Sequence, residues 1–432
     1  MKYYLRLLIM DISYFIAKRL ALSEKSTVSS TIIKIAIAAV SVSVAVMLLS
    51  VFMIRGFQEG ISDKVFGFWG HIDIFAGEST KEMSISPIND ADKYIAKLKK
   101  LDNVKYTDIE GKQQKTKGGI KHVHKYILLP AILQEKNDYD GLLFKGVGDD
   151  YARQYIERHI ISGELPHFGT GSAANAIVIS KYTADRLNIK VGDKVIANFV
   201  KADNPVRKPL IVSGIYNTGL VEYDKKLAFV DIELTRKILG WNKNQVGGIE
   251  IFVDDISDLD IINEYIYVEL LPSDVYSMTI KRKFGSIFEW LELLDINGRV
   301  ILVLMLIVSI INMITSLLIL ILERTNMIGI LKSLGADNWT LRKIFLYHAT
   351  YIIIVGLLLG NILGVGIGLI QKHYGLIKLD EANYYLSQAP IYFDIPFMIL
   401  INVGTLLLTV AVLIIPSYLV AKIDPVKTIM FR

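Results

Sequence analysis

Residues Glu323–Phe345 read ERTNMIGILKSLGADNWTLRKIF and lie between two long apolar runs. Met327, Ile328, Leu331 and Leu334 recur at i, i+1, i+4 and i+7, which places them on one face of a short helix. Arg324, Asn326, Lys332 and Ser333 fill much of the other side. Gly335 supplies the left-handed residue that ends a helix. Asp337 or Asn338 is placed to cap a second helix that starts near Trp339 and enters the next apolar run. The stretch reads as a structured turn-back between two membrane spans, able to pass a push from a cytoplasmic partner to both.

Four apolar runs are long enough to cross a bilayer: Ile32–Ile54, Val300–Leu322, Tyr347–Ile370 and Pro396–Val420. Each meets the roughly 20 residues that a helix rising 1.5 Å per residue needs for about 30 Å of hydrocarbon. They account for a chain of 432 residues that is 52% hydrophobic, with a mean hydropathy of +0.41. The first run is longer than the apolar core of a signal peptide and continues Arg55-Gly56-Phe57 with no small-residue cleavage site, so it is expected to remain as a span. Before it, Tyr3–Leu22 mixes Lys2, Arg6, Lys18 and Arg19 with apolar residues, as in a helix lying at the headgroups. Lys and Arg are dense in residues 1–34, 323–345 and 421–432 and sparse in 371–394. The termini and the turn-back are therefore expected in the cytoplasm, and the large insertion outside.

The expected fold is an α-helical membrane protein with four transmembrane helices and a large α+β domain between the first and second. Residues 1–56 hold the N-terminal helix and first span. Residues 57–297 form the insertion, of two lobes, and 298–432 the remaining spans with the turn-back helix. Within the insertion, His71–Phe75, Ala176–Ser180, Lys194–Phe199, Leu210–Tyr216, Leu227–Ile232 and Gly248–Val253 alternate as strands. Asp90–Leu101 after a capping Asn89, Lys181–Leu187, Asp231–Leu239 and Ser257–Leu271 read as helices. Lys201–Pro209 reads as a hairpin tip restricted by Pro205 and Pro209.

Within the spans, Gly356, Gly360, Gly364 and Gly368 recur every fourth residue, a stripe suited to close helix packing. The first span has a small face (Ala36, Ala39, Ser43, Ser50) and a bulky face (Val40, Val44, Met47, Leu48, Val51). Asn312, Asn361 and Asn402 are neutral and suit interhelical hydrogen bonds rather than an ion path.

The net charge of +5 is weak and dispersed, which argues against nucleic acid as a partner. With no cysteine, thiolate metal sites, cysteine nucleophiles and a lipidated cysteine are excluded. His122 and His124 make a single i, i+2 pair, too few ligands for a metal. No G-x-x-x-x-G-K-[ST], H-E-x-x-H or G-x-S-x-G occurs, so no catalytic residues and no metal or cofactor are expected on this chain.

The pattern E-R-x-x-x-I-G-I-L-K-S-L-G-A before a basic helix entering a span, the tail Pro416-Ser417-Tyr418…Asp424-Pro425-Val426, and the layout of one span, a large insertion and three spans resemble the FtsX-like ABC permease family. Met327 stands where many members carry an acid. Ser13–Leu20, Gly56-Phe57, Gly70-His71-Ile72, Gly163-Glu164, Ile177–Ser180, Lys190–Val195, Gly285–Phe288 and Asn312 are similar to its lipoprotein-releasing (Lol) branch. The resemblance implies an inner-membrane subunit with a MacB-like periplasmic core that pairs with a second permease subunit, this chain or a paralogue. It also implies two copies of a cytoplasmic ATPase carrying ATP and Mg, a lipoprotein substrate and a periplasmic chaperone. Ile328, Leu331, Lys332, Leu334 and Gly335 are then expected to couple to the ATPase. Val40, Val44, Met47, Leu48 and Val51 are expected to line an acyl-chain cavity. Pro205, Arg207, Lys208 and Pro209 are expected to form a chaperone-binding hairpin. A macrolide-exporter-type efflux permease and a non-transporting transducer acting on wall hydrolases share the topology and are the alternatives.

Overall fold

The computed structural model describes residues 13–17, 27–77, 86–107, 111–169, 171, 173–199 and 206–423. The chain divides into a helical unit, Met1–Glu59 with Trp290–Lys378 and Gln388–Arg432, and an α+β unit, Gly60–Glu289 with Leu379–Ser387. The expected N-terminal helix and the tail beyond Ile423 lie outside the described residues, apart from residues 13–17, which are helical.

Five helices organise the first unit: α1 (Thr27–Trp69), α2 (Gly285–Glu323), α3 (Thr325–Ser333), α4 (Asn338–Tyr374) and α5 (Ile395–Leu413). Four helices, Thr31–Trp69, Gly285–Glu323, Asn338–Tyr374 and Ile395–Lys422, are long and apolar enough to cross a membrane. The first two reach 39 residues, well beyond the 23 of their apolar runs. The first helix thus continues through Arg55-Gly56-Phe57 beyond its apolar run. At Gly56 the chain passes closely: a Cβ on it would lie 2.6 Å from the Pro390 carbonyl oxygen. The helix stops only at Gly70, whose φ of +73° is the left-handed turn a side chain disfavours.

The glycine stripe of α4 packs on α1. A Cβ at Gly356 would meet Val40 Cγ1 at 2.7 Å, one at Gly360 would meet Val44 Cβ and the Ser41 carbonyl at 2.8 Å, and one at Gly364 would meet Leu48 Cβ at 3.2 Å. Gly368 faces Phe393 instead. The bulky face of α1, not its small face, therefore fills the glycine notches. Val40, Val44, Met47, Leu48 and Val51 are all buried within this chain, and of them Val51 borders a cavity. Asn361 and Asn402 exchange reciprocal amide hydrogen bonds of 2.6 and 3.0 Å between α4 and α5.

In the α+β unit twelve strands are described: β1 (Ile72–Ala76), β2 (Lys105–Thr107), β3 (Gln113–Lys115), β4 (Ile120–Glu135), β5 (Asp138–Val147), β6 (Ile160–Gly163), β7 (Ala176–Ser180), β8 (Lys194–Phe199), β9 (Val206–Tyr216), β10 (Leu227–Asp231), β11 (Gly248–Val253) and β12 (Val275–Thr279). β4 is the spine. Its first half pairs β11, its last residues pair β8, and β5 runs antiparallel along it. From β5 the ladder passes to β10, β7, β9 and β8 and so returns to β4, a closed barrel filled by Leu133, Phe144, Ile179, Val195, Val212 and Val230. On the other side β11, β1 and β12 continue from β4. There Ile95 and Leu98 of helix Ala91–Leu98, and Leu259 and Ile262 of helix Leu259–Tyr265, close a second core over Ile74 and Ile251.

Helix Ala91–Leu98 follows Asp90, whose side chain makes no capping hydrogen bond, rather than Asn89, and ends three residues early. One hairpin arm, β9, is longer than expected. Val206–Pro209, read as part of the tip, belongs to β9 and pairs Phe199–Ile196 of β8. Pro209 is accommodated because β7 joins β9 only from Ile211 onward, leaving this stretch paired on one side.

Candidate coupling site and buried charge cluster

The turn-back forms two helices joined by a tight C-cap. Gly335, at φ +90°, donates its N–H to the Lys332 carbonyl, and Ala336 donates to that of Leu331, both at 3.0 Å. This is the paired closure of a Schellman motif. Asp337 then accepts from the N–H groups of Trp339 and Thr340, both 3.1 Å, and its other oxygen accepts from the Thr340 hydroxyl. These bonds hold the Asp337 carboxyl below its usual range.

The five expected coupling residues do not share one surface. Ile328 is fully buried, packed into the helical core, and Leu331 is half-buried. Lys332 spends its ammonium on the chain's last described turn, donating to the carbonyls of Ala421 at 3.0 Å and Ile423 at 2.9 Å. Leu334 is 79% exposed and Gly335 is exposed beside it. Ile330 and Trp339, which sequence reading passed over, are also exposed. Arg342 completes the arrangement, its Nε donating to Ser417 Oγ at 3.1 Å and its guanidinium lying 4.4 Å from the Tyr418 ring centroid. Lys332 and Arg342 thus bind the 3₁₀ turn Pro416–Lys422 to α3 and α4. An apolar protrusion on a braced base results.

Of the expected hairpin, Arg207, Lys208 and Pro209 are exposed on β9, and Pro205 lies outside the described residues. Val51 borders a cavity of about 230 Å³ lined also by Ile54, Arg55, Asp295, Gly298, Arg299, Leu302 and Phe397. His122 Nε2 bonds the Asp150 carbonyl at 2.8 Å, and among the described residues no cluster suits a metal ion.

The α+β unit holds a charge cluster that sequence reading missed. Lys145 of β5 has a fully buried side chain, and its Nζ donates to both Glu250 oxygens, at 2.7 and 2.9 Å, and to the Phe68 carbonyl at 3.1 Å. His124 of β4 donates from Nε2 to Glu250 at 2.7 Å. Asp73 of β1 accepts from the Tyr126 hydroxyl at 2.8 Å and from Lys283 Nζ at 2.6 Å. Burial works against the Glu250 carboxylate, but Lys145 and the His124 hydrogen bond outweigh it and hold its pKa at about 2. Burial also lowers the Lys145 pKa, with Glu250 opposing. Nearby, burial reinforced by Lys121 pushes His71 down to about 4. Its trace in the sequence is Lys145 standing directly after the apolar run Leu142-Leu143-Phe144.

Residues 299–425 match the family model described as FtsX-like permease C-terminal. Over 94% of its length the chain is 20% identical to the lipoprotein-releasing system transmembrane protein LolE of Haemophilus influenzae, covering 96% of that protein. It is 24% identical to LolC of Xylella fastidiosa over 59% of this chain and 65% of that protein. Among solved structures, the periplasmic region of MacB from Actinobacillus actinomycetemcomitans aligns with a TM-score of 0.34 and 15% identity, over 50% of this chain and 91% of that one. The chain therefore carries an FtsX-like permease domain and is similar, across most of its length, to the transmembrane proteins of lipoprotein-releasing systems.

Proposed function

We propose that this chain is the permease subunit of an ABC transporter that extracts lipoproteins from the outer leaflet of the inner membrane and hands them to a periplasmic chaperone. A separate cytoplasmic ATPase, present in two copies and holding ATP and Mg, supplies the energy, and a second permease subunit completes the transporter. The observation that carries this reading is the end-to-end similarity to a lipoprotein-releasing protein, which spans the helices and the α+β unit alike. The chemistry of the task agrees. Withdrawing acyl chains from a bilayer costs about 0.8 kcal/mol per CH₂, so a multiply acylated protein needs both an energy source and a sheltered acceptor.

In this reading the termini and turn-back are cytoplasmic and the α+β unit is periplasmic, as the distribution of Lys and Arg favours. The ATPase would meet Leu334, Gly335 and the exposed edge of Leu331, while Ile328 and Lys332 anchor the helix from beneath. Acyl chains would use the cavity at Val51, the part of the α1 face with open space beside it. Arg207, Lys208 and Pro209, exposed on β9, would engage the chaperone, with the two cations steering an acidic partner more than adding affinity. Depleting the chain should leave outer-membrane lipoproteins in the inner membrane, as seen by fractionation, and re-expression should restore sorting. Unchanged sorting after depletion would contradict the proposal.

A further inference from the structure

Four charged residues of the helical unit mark one end of its spans. Arg55 directly follows the apolar run Ile32–Ile54, Arg299 directly precedes the run Val300–Leu322, and Asp394 stands two residues before the run Pro396–Val420. Asp295 lies about one turn before Arg299 on α2. Their positions in the chain put all four at one boundary between hydrocarbon and water, the boundary away from the turn-back. In the structure they form two pairs. Arg55 Nε lies 3.5 Å from the Asp394 carboxylate, and Arg299 donates to Asp295 at 2.5 and 3.0 Å. Asp394 also caps α5, accepting from the Phe397 N–H at 3.0 Å, and the Arg55 guanidinium lies 5.5 Å from the Phe397 ring centroid. Arg55, Arg299 and Asp295 share the cavity of about 230 Å³ with Val51, Ile54, Leu302 and Phe397, so one cavity has apolar walls and a charged rim. Its volume is several times the roughly 30 Å³ share of a single water. The rim is open to exchange. The Arg55 pair is longer than the roughly 2.7–2.9 Å of a close charge-assisted bond. Arg299 is 69% exposed, and exposed pairs give up their partners at little cost.

We propose that this cavity binds a phospholipid with an ethanolamine head group, which the acyl chains of an arriving lipoprotein displace. The inference rests on the reading of the chain as a lipoprotein-releasing permease and names the occupant of its Val51 cavity before substrate enters. The phosphate diester would take the guanidiniums of Arg55 and Arg299, whose planar forks match phosphate oxygens. The primary ammonium, with three N–H donors, would take the carboxylates of Asp295 and Asp394. The acyl ester end of the lipid would then lie against Val51, Ile54, Leu302 and Phe397. Two positive and two negative charges complement a zwitterion better than an anion. A choline head group has no N–H to donate, and a glycerol head group has no cation, so each would satisfy the arginines alone. A free inorganic ion would leave the apolar walls uncovered.

The test uses the full chain purified with its ATPase and partner permease. Bound lipid is read by native mass spectrometry after adding phosphatidylethanolamine, phosphatidylcholine or phosphatidylglycerol with identical acyl chains. The parent should hold phosphatidylethanolamine about tenfold more tightly than either of the others, the worth of one charge-assisted hydrogen bond. R55Q/R299Q should weaken that binding by about tenfold or more, and D295N/D394N should turn the preference toward phosphatidylglycerol. A photo-crosslinking side chain in place of Leu302 should capture phosphatidylethanolamine, and adding a triacylated lipoprotein should abolish the capture. Equal binding of the three lipids, tighter binding of phosphatidylglycerol by the parent, or lipid capture that lipoprotein does not change would each overturn the proposal. The comparison of lipids on the parent needs no variant, so it decides even where a charge variant fails to fold. A parent complex that holds phosphatidylethanolamine with the expected preference, yet hydrolyses ATP without releasing lipoprotein, would keep the lipid site and overturn the functional reading.

Discussion

The turn-back and the buried cluster are both polar networks, built on opposite principles. Around α3, charged side chains reach backbone carbonyls at a half-exposed surface, and the connections are local in sequence or run to the chain's tail. In the α+β unit, the Lys145–Glu250 ion pair and the His124–Glu250 hydrogen bond are sealed from solvent and join residues 105 and 126 positions apart. The first arrangement leaves an apolar protrusion free for a partner. The second is closed to solvent. The difference also appears in energy, because losing one partner of a buried pair leaves a charge stranded in the core, whereas losing a half-exposed contact lets water replace it.

The strongest way to break this contrast is E250Q, which strands Lys145. It should destabilise the α+β unit by about 3–5 kcal/mol, and K145M/E250M should recover most of that loss. Hydrogen exchange of β4, β5 and β11 in the purified chain reads both effects, and equal exchange in E250Q and parent would show the pair to be incidental.

His71 sharpens the comparison through pH. Its folded pKa of about 4 lies below the ordinary 6.5, so the unfolded chain binds the proton more readily. The stabilisation is complete above pH 6.5 and is lost as pH falls through about 4. The full loss is on the order of 3 kcal/mol. Glu250 adds to the loss only at lower pH, between its ordinary 4.5 and about 2. H71Q should flatten the stability profile between pH 6.5 and 4, and an unchanged slope would assign it to other groups.

In the helical unit, G360V should cost about 1–3 kcal/mol by overpacking against the Ser41 carbonyl and Val44. G366V, where a Cβ meets nothing within 4 Å, is the control. Resistance to unfolding in SDS would rank them, and equal resistance would argue against tight α1–α4 packing. The smallest effect belongs to K332M at the turn-back, about 1 kcal/mol, seen as faster exchange confined to residues 414–423.

What could be read from sequence follows the same divide. Gly335 and Asp337 end and start helices by local rules, so the turn-back was legible with its caps. The spans were legible as apolar runs, but the length of α1 was not, because its apolar run stops at Ile54 while the helix continues to Trp69. The arms β4 and β5 went unread. β4 is a 16-residue strand with Pro130 inside it, and β5 is interrupted by Asp140, Gly141, Lys145 and Gly146. Lys145 and Glu250 each looked like an ordinary surface charge. Nothing short of the strand order brings them together. The bulky face of α1 was read as open for a related reason: the α4 glycines that cover it lie more than 300 residues away.

The measurement closest to the central claim is reconstitution of the chain with its partner permease and ATPase in liposomes holding a triacylated lipoprotein, with the soluble chaperone outside. The account predicts ATP-dependent transfer of lipoprotein to the chaperone. It further predicts that L331D/L334D abolishes both transfer and ATPase co-purification while the chain still inserts. ATP hydrolysis without transfer, or transfer undiminished in L331D/L334D, would contradict it.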